Sequence, residues 1–107
     1  MSDASEWKVY ISARAENDLN QIYDYIAYTL LQPVTAANQV SRIRKAVLGL
    51  DLLPERCPLL RYEPWRSQGC RFLVVDNYLA VYKVLKKTKT VSVITVVYAK
   101  RNLPEIL

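Results

Sequence analysis

Residues 70–101, CRFLVVDNYLAVYKVLKKTKTVSVITVVYAKR, constrain the fold of this chain more than any other stretch. Valine, isoleucine, threonine and tyrosine dominate them, and such side chains pack well on the pleated surface of a β-sheet. The pattern predicts three strands at residues 70–75, 78–85 and 91–98, separated by an Asp76-Asn77 turn and the polar loop 86–90. Because short connections force neighbouring strands to run antiparallel, we expect a three-stranded meander.

The N-terminal half is predicted to form one strand and two helices. Residues 7–11 alternate between apolar and polar side chains, which indicates a half-buried strand, and Ser12 is a suitable N-cap for the helix that follows. Apolar residues spaced by three and four then mark two amphipathic helices. The first stripe is Ala15, Leu19, Ile22, Tyr23, Ile26 and Leu30, and the second is Ala36, Val40, Ile43, Val47 and Leu50.

Prolines delimit these helices and the segment that follows. Pro33 ends the first helix, the second begins near Thr35, and Pro54 ends it. A short link between two helices favours an antiparallel hairpin. Residues 54–69 form a broken connector in which we expect Trp65 to pack over the sheet edge. The fold class is therefore α+β in the order β-α-α-β-β-β, as a single domain over residues 1–107.

The positive charge lies with the predicted sheet. The 107 residues carry a net charge of +5. Residues 1–60 hold six basic and seven acidic side chains, whereas residues 61–107 hold nine basic and three acidic ones. A basic sheet indicates a polyanionic partner, either nucleic acid or an acidic protein segment, although lysines that only keep the surface soluble would give the same count.

The absence of histidine excludes several kinds of chemistry. Without histidine there is no serine–histidine or cysteine–histidine catalysis, and Cys57 and Cys70 alone cannot complete a usual zinc site. We therefore expect no metal, no cofactor and two free thiols. No apolar run approaches the length of a membrane span, and the N-terminus has acids where a signal peptide has basic residues. These features favour a cytoplasmic protein without a membrane partner.

Any chemistry must then use arginine, lysine, tyrosine and carboxylates. Strand alternation sorts the side chains of each predicted strand by face. In strand 70–75 one face holds Arg71, Leu73 and Val75, and in strand 78–85 one face holds Ala80, Tyr82 and Val84. In strand 91–98 one face holds Ile94, Val96 and Tyr98, and the other holds Val93, Thr95 and Val97. The candidate catalytic residues of one concave patch are Arg71, Tyr82, Tyr98 and Arg101, which suit phosphate binding and proton transfer. Alternatively, the tyrosines are core-edge residues and Arg71 pairs with an acid. The candidate binding residues are Arg61, Arg66, Arg71, Lys83, Lys100 and Arg101.

Several segments, in this order, resemble the RelE/ParE superfamily of bacterial toxins from type II toxin–antitoxin modules. They are the opening WKVYIS, the helix with ENDLNQIYDYI, the hairpin GCRFLVVDNYLAVYKV and the ending VSVITVVYAKRNLPEIL. The resemblance covers nearly the whole chain. It implies the same β-α-α-β-β-β fold and a cognate antitoxin whose C-terminal segment wraps the sheet and helices.

The superfamily implies two activities on one fold. RelE-like members cut mRNA in the ribosome without metal, and ParE-like members poison DNA gyrase. Arg101 matches the nuclease branch, but Leu79 and Leu107 stand where that branch has arginine and tyrosine, and Arg71 fits the ParE-like pattern. The resemblance therefore favours a ParE-like toxin that acts on gyrase. The alternatives are a RelE-like mRNA endonuclease and a non-toxic binding module of the same fold.

Overall fold

The structure is a computed structural model that describes residues 7–100. Arg101 and the tail 102–107, for which the sequence predicts a short final turn, lie outside the described residues. The chain forms the α+β order that the sequence predicts. The elements are β1 (Lys8–Ile11), α1 (Ala13–Asp24), a π-helical turn (Tyr25–Thr29), α2 (Pro33–Leu48), two 3-10 turns (Gly49–Asp51 and Pro54–Arg56), β2 (Cys70–Val75), β3 (Tyr78–Leu85) and β4 (Thr90–Tyr98).

The predicted meander is present, and β1 extends it into a mixed sheet. The strand order is β1-β4-β3-β2, in which β2, β3 and β4 pair antiparallel. β1 runs parallel to β4, with Val9 opposite Val91 and Ile11 opposite Val93. The helical hairpin of α1 and α2 follows β1 in the sequence and covers one face of the sheet.

The covered face, called here the inner face, holds the main core. Leu19 of α1 and Ile43 and Val47 of α2 pack there against Ala80 and Tyr82 of β3. The apolar stripes of the helices pack against the apolar strand positions because this contact removes apolar surface from water. The N-cap prediction is also confirmed, since the Ser12 hydroxyl accepts a hydrogen bond from the Ala15 amide at 3.0 Å.

The first helix does not continue as one regular stripe to Leu30. After Asp24 the backbone adopts the π-helical turn, in which the Leu30 amide donates to the Tyr25 carbonyl five residues earlier. The wider turn shifts the angular phase of the residues that follow it. Ile26 and Ala27 are consequently buried next to each other, whereas Leu30, which the sequence places in the core stripe, is 49% exposed. That part of the prediction was wrong.

Strict alternation also fails in β4. Thr95 pairs with Val81 and Val93 pairs with Tyr82, so Ile94 is an extra residue in a β-bulge. Val93 and Val96 therefore share the inner face, although the sequence assigned them to opposite faces. The Ser12 hydroxyl donates to the Ile94 carbonyl at 2.8 Å, which fastens the bulge to the start of α1.

The middle of the connector packs on the opposite face of the sheet, called here the outer face, whereas its first residues, 54–57, lie at the inner face against Tyr82 and Arg71. Leu60 and Trp65 lie against Phe72, Val81 and Ile94 on the outer face, in a second small core. Cys70 belongs to this outer cluster and Cys57 packs against the inner core, and both thiols are free, as predicted. Within residues 7–100, no helix has both the length and the apolar character that crossing a membrane requires.

Candidate functional site

A cleft of about 880 Å³ lies between α1, the π-helical turn and the C-terminal half of β4. Its volume lies in the range of functional pockets in proteins. Ile22, Ile26 and Val96 supply apolar surface. Arg14, Asp18, Gln39 and Asn77 supply polar groups around it. A partly apolar, partly aromatic cleft of this kind suits a peptide segment better than a small polar metabolite.

Three tyrosines line this cleft, one from the π-helical turn and two from the sheet. Tyr78 and Tyr98 are cross-strand partners whose rings meet edge to face, with centroids 5.7 Å apart. Tyr25 lines the cleft from the helical side and is 56% exposed. Burial raises the pKa of the Tyr78 phenol, and the nearby phenols of Tyr98 and Tyr25 raise it further. The three tyrosines offer aromatic contact surface, and the raised pKa keeps the Tyr78 hydroxyl neutral at physiological pH.

Asp18 fixes the wall of the cleft. Its carboxylate accepts hydrogen bonds from the Thr95 hydroxyl and, at 3.0 Å, from the Val96 amide. Thr95 is almost completely buried, so its hydroxyl depends on this partner. Because the bonds follow directly after the bulge at Ile94, they set how the end of β4 lies against α1.

The predicted residue Arg71 lies on the inner face towards the other end of β3, opposite Tyr82. Its guanidinium donates to the Cys57 carbonyl at 2.6 Å and to the Glu55 carbonyl at 3.2 Å, and it lies 3.9 Å from the Glu55 carboxylate. Only 21% of its side chain is exposed. Arg71 therefore holds the connector against β2 in this structure.

Tyr82 is completely buried in the main core. Its hydroxyl donates to the Pro54 carbonyl at 2.6 Å. Burial raises the pKa of the Tyr82 phenol, and the neighbouring Cys57 thiol adds to the rise. The sequence-derived alternative, a tyrosine of the core, describes this environment, because the phenol has no surface from which to reach a substrate.

We expect Tyr82→Phe to lower the free energy of unfolding by about 1–3 kcal/mol, because the buried Pro54 carbonyl loses its donor. The raised pKa means that the phenol contributes stability that is fully present below its unfolded pKa of about 10 and is lost at higher pH. Urea unfolding should therefore show a difference between wild type and variant that shrinks above about pH 10. Equal stability at neutral pH would contradict the role given to this bond.

The remaining predicted residues do not gather around Arg71 and Tyr82. Tyr98 pairs with Tyr78, four residues along β3 from Tyr82, a separation of about 13 Å at strand spacing. Lys83 lies on the outer face, opposite Cys70. Arg61, Arg66 and Lys100 are exposed. Arg101, the last member of the predicted patch, lies outside the described residues.

Sequence reasoning missed the cleft and two of its main residues, Tyr25 and Asp18. Tyr25 lies in the predicted first helix but outside its apolar stripe, and in the structure it begins the π-helical turn and lines the cleft. From the sequence, Asp18 is interpreted only as an acidic residue near the N-terminus of a helix. The signal available in the sequence was Thr95, a polar side chain inside an otherwise apolar strand, which needs a buried partner.

The family comparison identifies the chain. Residues 9–103 match the model of the ParE toxin of type II toxin–antitoxin systems, parDE. No match was found among curated protein sequences.

Solved structures share the fold at low sequence identity. A chain of the chromosomal ParDE toxin–antitoxin system from P. aeruginosa aligns with a TM-score of 0.73 at 21% identity, over 90% of this chain and 99% of that chain. A chain of the toxin–antitoxin complex RelBE2 from Mycobacterium tuberculosis gives 0.61 at 22% identity, over 88% and 93%. The isolated E. coli RelE toxin gives 0.55 at 19% identity, over 94% and 99%.

The matched family model spans most of the chain, and the fold is the one that the sequence motifs imply. The protein therefore belongs to the ParE toxin family of type II toxin–antitoxin systems, within the RelE/ParE superfamily.

Proposed function

We propose that this toxin inhibits growth in the cytoplasm through protein contacts with DNA gyrase, and that a segment of its cognate antitoxin neutralises it by occupying the cleft at Tyr25, Tyr78 and Tyr98. The observation that carries the first part is the burial of Tyr82 beside an Arg71 that already donates to two connector carbonyls. The proposal rests on the ParE family match and on what the ParE-like resemblance implies.

Cutting RNA without a metal requires a cation and a proton-transfer group that reach the same phosphodiester bond. Arg71 already donates to two carbonyls, and Tyr82 is closed to solvent. Tyr98 lies about 13 Å farther along the sheet at strand spacing. Among residues 7–100, these three predicted residues therefore do not form a metal-independent nuclease site around one phosphodiester bond. This favours action through protein contacts.

Action through protein contacts requires an accessible apolar or aromatic surface. The end of the helical hairpin provides one, because Tyr28, Leu31 and Val34 are 70%, 78% and 73% exposed. Adjacent exposed apolar side chains of this kind mark protein interaction sites. We assign the gyrase contact to this hairpin tip, which is defined by these three residues.

The cleft suits an antitoxin segment for a different reason. It lies between the helices and the sheet, so a chain that wraps both would pass through it. Its lining combines apolar, aromatic and polar side chains, which matches an amphipathic segment that folds on binding. The P. aeruginosa and M. tuberculosis neighbours come from toxin–antitoxin systems, which supports a partner of this class here.

The test is a short induction of the toxin in bacteria that lack the antitoxin, with chromosomal DNA and mRNA examined in the same culture. The proposal predicts broken DNA and a damage response while transcripts remain intact, and inhibition of supercoiling by purified gyrase. Early codon-phased mRNA cuts would instead indicate a RelE-like endonuclease. Normal growth with neither lesion would indicate a non-toxic binding module.

Tyr98→Phe and Arg101→Ala distinguish the two toxic mechanisms. The first removes one hydroxyl and keeps the ring that packs on Tyr78, so it should fold normally. Both variants should stay toxic if the hairpin tip binds gyrase, because neither changes that surface. Loss of toxicity in a folded Tyr98→Phe or Arg101→Ala protein, together with loss of mRNA cleavage, would contradict the proposal.

A further inference from the structure

The four strands contain no aspartate or glutamate, and they carry three basic residues, Lys8, Arg71 and Lys83. The strand register divides these cations between the two faces. Arg71 lies on the inner face with Leu73 and Val75, where it is engaged with the connector. Lys8 and Lys83 belong to the outer face, because Val9 and Ile11 point into the core and Lys83 alternates with the buried Tyr82.

The β1 side of the outer face is polar and accessible. Across the sheet, Tyr10 pairs with Ser92 and Ser92 pairs with Lys83. In the next row Lys8 pairs with Thr90. Lys8 is exposed, Lys83, Thr90 and Ser92 are partly exposed, and Tyr10 is 59% exposed. We call these five residues the β1-side patch. The connector covers the Phe72 and Val81 region of this face.

The two lysines of the β1-side patch are available for a partner. Among the described residues, the carboxylates that form ion pairs are engaged elsewhere: Glu16 with Arg44, Asp76 with Arg42, and Glu55 with Lys86 and Arg71. Neither Lys8 nor Lys83 takes part in an ion pair in that region. The charge of the patch is therefore not neutralised by the described part of the chain.

We propose that the β1-side patch binds the phosphate backbone of duplex DNA without reading its sequence. Lysine, serine, threonine and tyrosine side chains are among those that contact phosphate oxygens in protein–DNA complexes, and the patch consists of these residue types. The choice of DNA over RNA rests on the proposed function, since a toxin docked on gyrase would lie beside the DNA that gyrase holds.

The composition of the patch favours a duplex over two other polyanions. A single strand is usually bound on several stacked aromatic rings, and Tyr10 is the one aromatic side chain in the patch. An acidic amphipathic protein segment needs an apolar groove for its other face, which the cleft supplies, whereas the patch consists of lysine, serine, threonine and tyrosine. The patch spans about 10 Å across three strands, enough for two or three phosphate contacts.

The experiment measures binding of the whole toxin to a fluorescent DNA duplex of about 20 base pairs by anisotropy, over a series of salt concentrations. Lys8→Gln and Lys83→Gln each remove one positive charge from the β1-side patch. Lys45→Gln, an exposed residue of α2, removes the same charge on the hairpin and serves as the matched control. We expect each patch variant to bind roughly 3- to 10-fold more weakly, with a salt slope smaller by about 0.9, and the control to bind like wild type.

Several results would overturn the assignment. Equal weakening by Lys45→Gln would mean that net charge alone attracts DNA. Tighter binding of an RNA duplex of the same length would exclude DNA as the preferred partner. Loss of antitoxin binding in Lys8→Gln and Lys83→Gln, with DNA binding unchanged, would make the patch a protein interface. Inhibition of gyrase by wild-type toxin is measured separately, so the proposed function can stand when the DNA contact fails.

Discussion

Replacing Tyr25 with alanine is expected to weaken binding of the cognate antitoxin by about 30-fold, the equivalent of about 2 kcal/mol for a buried aromatic anchor. Tyr25 lines the cleft from the helical side, across from Tyr78 and Tyr98. A segment lying in the cleft would bury the ring, and truncation would remove that contact area. Isothermal titration of the purified toxin with the antitoxin or its C-terminal peptide measures the change.

Tyr28 offers a control on the same π-helical turn. It is 70% exposed and does not line the cleft, and its ring packs edge to face on Tyr23. Tyr28→Ala should therefore leave antitoxin affinity within about twofold, while it lowers toxicity if the hairpin tip binds gyrase. Equal losses of antitoxin affinity in Tyr25→Ala and Tyr28→Ala would move the antitoxin from the cleft to the hairpin tip.

Asp18→Ala should lower the free energy of unfolding by about 2–4 kcal/mol. The substitution leaves the buried Thr95 hydroxyl and the Val96 amide without the carboxylate that accepts from both. Urea unfolding followed by circular dichroism measures the loss. Because these bonds hold the end of β4 against α1, hydrogen exchange at Val96 and Val97 should rise with it.

Asp18→Asn is the matched control for that prediction. The amide keeps one oxygen acceptor in nearly the same volume and removes only the charge, so the expected loss is about 1 kcal/mol. Combining Asp18→Ala with Thr95→Val removes both partners of the side-chain bond and should recover part of the stability. Additive losses in the double variant would show that Asp18 and Thr95 are not coupled.

Patterns within short segments of the sequence predicted most of the fold. The branched residues of β2, β3 and β4 predicted three strands, and the three-and-four spacing predicted two helices, because each pattern buries one face of one element. The cap at Ser12 and the turn at Asp76 were visible for the same reason: each depends on residues within a few positions. The strand β1 was predicted, but its parallel pairing with β4 was not, since that contact joins residues about eighty positions apart.

The candidate site was less predictable because it depends on where regular periodicity breaks. Alternation grouped Arg71, Tyr82 and Tyr98 on one face, and the register does place them on one face, but Tyr98 lies about 13 Å from Tyr82 at strand spacing. No local pattern showed that the helices cover this face. Their packing helps to bury Tyr82, and the connector engages Arg71. Arg101 stays a prediction.

The sequence by itself determined the element order, the family and the excess of positive charge on the sheet. Only the tertiary structure decided which face is open and where the cleft lies. The bulge at Ile94 and the π-helical turn at Tyr25 each shift the phase of one element by a residue, and the bulge is held by contacts outside the periodic pattern. Ser12 fastens the bulge and Asp18 binds the residues that follow it. Sequence periodicity reflects the spacing of residues within one segment. It therefore does not predict a change of phase that is stabilised by hydrogen bonds to another segment.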